Sequence, residues 1–290
     1  MFKIKTLIDK IWVYAAAVII IAGSGSIMAF ALNNGVPENA SANVAPFTAA
    51  LKENIQVQPS EAVITTEYTV VDGSKDAPDG KLKDLIKYKL SLTQDITPEQ
   101  IEEKYNAIVA NMIPGEKDIS AEQAAAYAAG IIKKAYGVDL TGYTAEATFS
   151  RNPVPNSDNW GVIFHAPKED RSTKSYSASV DSVNGAMQYL GCYTRDYKEE
   201  ENKDLDNPEW KAKALEAIAR LMPENVSIIN SKVVSAIPEG GVAVVCELSD
   251  GTAYAVRLTG ENKEAVAYEY FPSGYDGSWE YHPVTVDGVG

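Results

Sequence analysis

The sequence predicts an α+β fold in which a helix packs on an antiparallel sheet, and it predicts that arrangement twice in tandem. Two observations carry this. Helix starts at Ser120 and at Asn207-Pro208 are each followed by four strand-like runs. Short turns such as Asn184-Gly185 and Ser249-Asp250-Gly251 join neighbouring runs, which makes them hairpins rather than parallel crossovers. Ahead of all this, residues 11–32 run for 22 positions without a charge, the length of a membrane-crossing helix.

The N-terminal segment sets the compartment. Lys3, Lys5 and Lys10 precede the apolar run, which places residues 1–10 in the cytoplasm and residues 33 onward outside. Spanning length favours an uncleaved transmembrane anchor, with the protein held as a single-pass cell-membrane protein. The alternative is a cleaved signal peptide and a secreted protein: residues 11–22 form a compact apolar core, Gly23-Ser24-Gly25-Ser26 breaks it, and Ala29-Phe30-Ala31 has the small-x-small pattern of a cleavage site. Residues 33–60 are small and polar with weak periodicity and read as a linker.

A first domain is predicted over 61–200. A strand over 61–71 places Ile64, Tyr68 and Val70 on one face. Ile86, Tyr88, Leu90 and Leu92 alternate with Lys87, Lys89 and Ser91, which predicts a second strand and a hairpin closed by a long acidic loop. Thr97-Pro98-Glu99-Gln100 is a capping box with proline in the first turn, and Ile101, Tyr105, Ile108 and Met112 follow at helical spacing up to Pro114-Gly115. Ser120-Ala121-Glu122-Gln123 is a second capping box. It opens an alanine-rich helix to about Tyr136 with Gly137 as its stop, and the small side chains let that helix lie close to a sheet. Strands are predicted over 143–150, 160–165, 174–181 and 186–193; in the third, Tyr176, Ala178 and Val180 alternate with Ser175, Ser177 and Ser179.

The charged stretch 194–206 marks a boundary, with a second domain over 201–290. Its helix carries Trp210, Ala214, Leu215, Ile218 and Leu221 on one face and ends by Pro223. Strands are predicted over 226–236, 242–248, 252–258 and 265–271.

Composition narrows the partners. The chain has 290 residues and a net charge of −14. Setting aside residues 1–32, with three lysines and one aspartate, leaves 23 basic and 39 acidic residues, a net −16. Such a surface repels nucleic acid and anionic lipid and suits cations, a basic protein or plain solubility. The only cysteines, Cys192 and Cys246, lie in apolar strand-like runs. That predicts buried thiols, although export makes a disulfide chemically accessible.

The sequence contains no catalytic signature. Its two histidines, His165 and His282, form no H-E-x-x-H and no cysteine–histidine ligand set. There is no nucleophile elbow, no phosphate-cradling glycine loop, and Asp72–Asp84 breaks the calcium-loop pattern at Ala77. No catalytic, metal or cofactor residue is assigned, and no enzyme activity is predicted. Candidate protein-binding residues come from two places. The loops 151–158 and 166–173 are longer than their counterparts in the second copy, and the latter carries Lys168 and Arg171. The C-terminal stretch interleaves Tyr275, Trp279 and Tyr281 with Gly274 and Gly277. Aromatics on such a tail serve either contact with a partner or packing on the last sheet.

Ile119-Ser120-Ala121-Glu122-Gln123-Ala124 at the head of an alanine-rich helix, closed after the strands by Val180-Asp181-Ser182-Val183-Asn184-Gly185, resembles a PepSY domain over residues 119–193. Residues 207–271 resemble a second copy in which Leu258-Thr259-Gly260-Glu261 lacks the aspartate. Ala186 also stands where that family commonly has a charged residue. The resemblance implies a small α+β module of the kind found in propeptides of secreted metallopeptidases and in membrane-anchored envelope proteins of Gram-positive bacteria. It also implies a role in restraining peptidases, with no catalytic residues to carry over. The expectation is therefore a non-enzymatic extracytoplasmic binding or regulatory module whose partner is a secreted or envelope protein. The alternatives are an envelope hydrolase without a recognisable motif and the extracellular sensor partner of a signalling system.

Overall fold

The structure is a computed structural model that describes residues 67–74, 80–92, 96–151, 157–168, 170, 172–194 and 202–280. The apolar segment 11–32, the linker 33–60, Arg171 and Tyr281 lie outside the described residues. Among the described residues no helix is long and apolar enough to cross a membrane.

The fold is α+β, with four helices and a nine-stranded, mostly antiparallel open sheet among the described residues. The chain opens with β1 (Thr69–Asp72), then α1 (Gly80–Ser91), α2 (Pro98–Ala110) and α3 (Ala121–Tyr136). A four-stranded meander follows: β2 (Thr144–Ser150), β3 (Asn159–His165), β4 (Lys174–Asp181) and β5 (Met187–Thr194). The helix-then-meander order repeats as α4 (Glu209–Ala219), β6 (Ile228–Ile237), β7 (Gly241–Leu248), β8 (Ala253–Thr259) and β9 (Glu264–Phe271).

Local chemistry explains the helix bounds. Both capping boxes form: Thr97 accepts from Gln100 N–H and Ser120 from Gln123 N–H, while each glutamine side chain accepts from its cap residue's own N–H. Gly137 ends α3 at φ +65°, the left-handed conformation that favours glycine. The buried face of α3 is Ala121, Ala124, Ala125, Ala128, Ala129 and Ile132. These small residues bring the helix onto the sheet, against Ala145, Ala147, Trp160, Val162 and Ala178.

Two expectations are corrected. Residues 86–92 do not form a strand hairpinned to the first; they lie in α1 and the turn after it. An alternation of four apolar residues also fits part of a helix surface, and Lys and Leu are strong helix formers. The helix gains specific contacts, with Lys83 and Lys87 over the Tyr105 ring of α2 at 5.3 and 5.1 Å and Lys87 paired with Glu102. Strand β1 instead adds parallel to β2, pairing Thr69 with Thr144 through Asp72 with Ala147.

The second correction concerns the whole architecture. The two copies do not close as two separate sheets. The strand order is β1-β2-β3-β4-β5-β9-β8-β7-β6, so one sheet runs across the boundary expected at 194–206. The copies meet through their last strands, antiparallel, with Tyr189 opposite Glu269 and Gly191 opposite Ala267. This order is that of a pseudo-twofold relation, and both helices contribute to one hydrophobic core. Across the seam, Tyr136 Oη donates to Val266 O (3.2 Å) and the rings of Tyr136 and Tyr268 meet edge-on at 5.7 Å.

Each helix is pinned to its own meander by the segment before it. Asp118 accepts from Ser182 Oγ (2.6 Å) and pairs with Arg151, and Ile119 N–H donates to Ser182 O (2.7 Å). In the second copy Asn202, only 7% exposed, donates to Pro238 O from both its backbone and side-chain nitrogens and accepts from Gly260 N–H. The pre-helix residue thus ties down two hairpin connections in both copies.

Candidate functional site

Strand β6 ends the sheet, and among the described residues it pairs with β7 alone. Its helix-side residues follow from register: Ser231 lies opposite Cys246, Val233 opposite Val244 and Ala236 opposite Val242. All three partners belong to the core shared with the helices. Helix α3 spans 16 residues and packs across β1 to β5, whereas α4 spans 11 and packs on β7, β8 and β9. The shorter helix leaves β6 uncovered. The result is a groove of about 480 Å³ between β6 and the start of α4, walled mainly by Leu205, Pro208, Trp210, Lys211, Val233 and Ala236.

Hydrogen bonds and an ion pair hold the groove wall. Asn207 N–H donates to Asp204 O, and Asn207 Oδ1 accepts from Glu209 N–H (2.9 Å) at the start of α4. Trp210 is buried, donates from Nε1 to Asp204 O (2.9 Å), and has Lys263 Nζ over its ring at 5.3 Å. Lys263 also pairs with Glu209 (2.8 Å), and that hydrogen bond holds the Glu209 carboxyl below its usual value. Lys211 Nζ donates to Ser231 O (2.8 Å), so this carbonyl faces away from β7. In a strand the N–H and C=O of one residue point the same way, so Ser231 presents its N–H outward as well. Val233 (41% exposed) and, on the other face of the strand, Ile229 (66% exposed) leave apolar surface along this edge.

The sequence-predicted site residues lie elsewhere. Lys168 is exposed in the β3–β4 connection, which Asp170 organises by accepting from the N–H and hydroxyl groups of Ser172 and Thr173. Those bonds, with Ser172 first, hold the Asp170 carboxyl below its ordinary range. Tyr275 and Trp279 fold back over the sheet face opposite the helices, against Val245, Ala253, Ala255 and Phe271. Trp279 N–H donates to Tyr275 Oη (2.9 Å), its indole donates to Glu269, and Arg257 stacks over its ring at 5.3 Å. Burial raises the Glu269 carboxyl, with the indole bond opposing. The loop leaves the sheet at the end marked by the Lys174–Glu264 pair (2.7 Å), while the tail leaves β9 at its other end, after Phe271. The structure therefore does not bring Lys168 and the aromatic tail into one surface.

Possible chemistry elsewhere is sparse. His165 Nε2 lies 3.7 Å from Glu146 Oε2, an ion pair when the ring is protonated. Among the described residues no cluster of three or more His, Cys, Asp or Glu is placed to hold a metal ion. Cys192 and Cys246 are both free. They sit on β5 and β7 with β9 and β8 between, a lateral separation of at least about 14 Å at about 4.8 Å per strand, beyond disulfide reach. Burial pushes both thiols up to about 11.

The groove escaped sequence reasoning because its walls come from the segment before α4 and from a strand that only the sheet order makes an edge. The one available signal was the irregular apolar pattern of 226–236, weaker than the alternation of 252–258. Comparisons of the chain with protein-family models, with curated proteins and with solved structures find no match.

Proposed function

We propose that this protein is a non-enzymatic extracytoplasmic binding module, built from two PepSY-like units, that holds or restrains a secreted or envelope protein, a peptidase being the partner class the resemblance suggests. The observation that carries the reading is the apolar groove beside the outer edge of β6, unpaired among the described residues, a combination suited to holding polypeptide. The repeated helix-on-meander order supports the two-unit description. The apolar segment 11–32 behind three lysines supports an anchored, outward-facing location. Net charge of −14 favours a partner with a basic face.

The test is affinity capture by the full chain from an envelope and secreted-protein extract at low and high salt. The expected outcome is specific recovery of a secreted or envelope protein, reduced as salt rises because screening weakens charge attraction. Recovery of nothing above a charge-matched control contradicts the proposal.

A further inference from the structure

Resting on the binding-module reading, the internal pseudo-symmetry identifies what the groove takes. In the strand order β2 corresponds to β6, β3 to β7, β4 to β8 and β5 to β9, with α3 corresponding to α4. One strand has no counterpart. β1 adds to the outer edge of β2 and packs against α3, and the second copy has nothing in that place among the described residues. The groove between β6 and α4 is the equivalent position, and no described residue fills it. We infer that it is a strand-addition site, taking an extended peptide that pairs with the free edge of β6 and inserts one aromatic or large aliphatic side chain beside Trp210 and Val233.

The seat of β1 shows how such a peptide is held. Backbone bonds run along its length: Gly142 N–H donates to Glu67 O (2.7 Å), Thr69 N–H to Tyr143 O (3.0 Å) and Gly73 N–H to Ala147 O (2.8 Å). Tyr68 is the anchor, buried with its ring edge-on to Phe164 at 5.2 Å, and Val70 follows on the same face. In the groove the outward backbone of Ser231 offers the pairing groups, and Trp210 with Val233 offers the apolar contact. Lys211, now on Ser231 O, guards this edge as charged side chains guard free edges elsewhere. The net charge of −14 favours a peptide with basic flanks.

The test is hydrogen exchange on the full chain with a synthetic peptide of residues 67–74 in which lysine replaces Glu67 and Asp72. The control peptide carries proline in place of Thr69, which removes the N–H that pairs with β2 in the native seat. The expected result is that peptide slows exchange across Ile228–Ile237 by at least about fivefold, and that the control does not. Val233→Asp, at an exposed position, and Ser231→Pro, which removes an outward N–H, abolish the slowing without lowering the melting temperature. The inference is overturned if β6 is unaffected at about 1 mM peptide, if protection falls only along β2, or if the proline peptide acts equally. Capture of the same envelope protein by wild type and Val233→Asp overturns this inference and leaves the binding-module reading standing. Peptide addition at β6 without capture of any envelope protein does the reverse.

Discussion

Gly185 lies at φ +70° beneath the ring of Tyr127, and a Cβ there would stand 2.1 Å from Cδ2. The turn it closes is set by Asp181, whose carboxylate accepts from Val183 N–H (3.0 Å) and Asn184 N–H (2.9 Å). Gly185→Ala therefore combines a left-handed backbone with a clash against a packed ring. It is expected to cost about 2–4 kcal/mol, read from urea denaturation. Gly137 has a similar φ of +65° but open space around its Cβ position. Gly137→Ala carries the backbone term alone, about 1 kcal/mol. The difference between the two isolates the contact with Tyr127.

Buried weak acids give the residue scale a pH signature. Burial raises Cys192 and Cys246 from 9.0 to about 11, and Tyr176 and Tyr268 from 10.0 to about 12. Above pH 9 the unfolded chain therefore releases protons that the folded chain still holds. The stabilisation from keeping these groups neutral is complete below about pH 9 and is lost as pH rises through about 12. The urea midpoint is expected to fall between about pH 8 and about pH 10.5. A midpoint that rises over this interval contradicts the burial of these groups.

At the scale of elements, the two capping boxes make opposite predictions. Ser120→Ala removes the bond to Gln123 N–H at the head of α3, which packs on five strands. It is expected to lower global stability by about 1 kcal/mol. Thr97→Ala removes the equivalent bond in α2, whose main packing partner is α1. That variant is expected to speed amide exchange in α1 and α2 while leaving the urea midpoint within about 0.5 kcal/mol of wild type.

These elements also show what the sequence could reveal. Capping boxes, the Gly137 stop and the Asn184-Gly185 turn are local chemistry, and each appears in the structure where the residues place it. The strand over 174–181 was legible because its alternation runs long enough to exclude a helix. Residues 86–92 misled because four alternating positions do not exclude one, and the deciding contacts, Lys83 and Lys87 on Tyr105, come from another helix. Tyr275 and Trp279 were legible as an aromatic cluster, but their place on the sheet depends on Glu269 and Arg257 and was not. The groove was invisible because nothing local to 228–237 says that β9, rather than β6, joins the first copy.

At the scale of the whole molecule, the seam between β5 and β9 turns two copies into one sheet. Leu190 and Tyr268 face each other across it, both fully buried, and Arg220 Nη1 donates to Ala135 O at 3.4 Å. Breaking the seam exposes core on both sides, so the copies are expected to unfold together. Far-ultraviolet circular dichroism and tryptophan fluorescence, which samples Trp160 in one copy and Trp210 in the other, should give coincident denaturation curves. Two separated transitions would show that each copy holds its own core.

Among the described residues the joined sheet has β1 on one outer edge and no equivalent strand on the other, and the inferred peptide site rests on that asymmetry. The most direct measurement places a photo-crosslinking amino acid at Val233 of the full chain in cells that make it, with crosslinked species identified by mass spectrometry. The expected result is a discrete adduct with a secreted or envelope protein, mapped to one short segment of that partner and absent when the crosslinker is at exposed Lys168 instead. Irradiation that yields no adduct at Val233, or the same adducts from both positions, contradicts it.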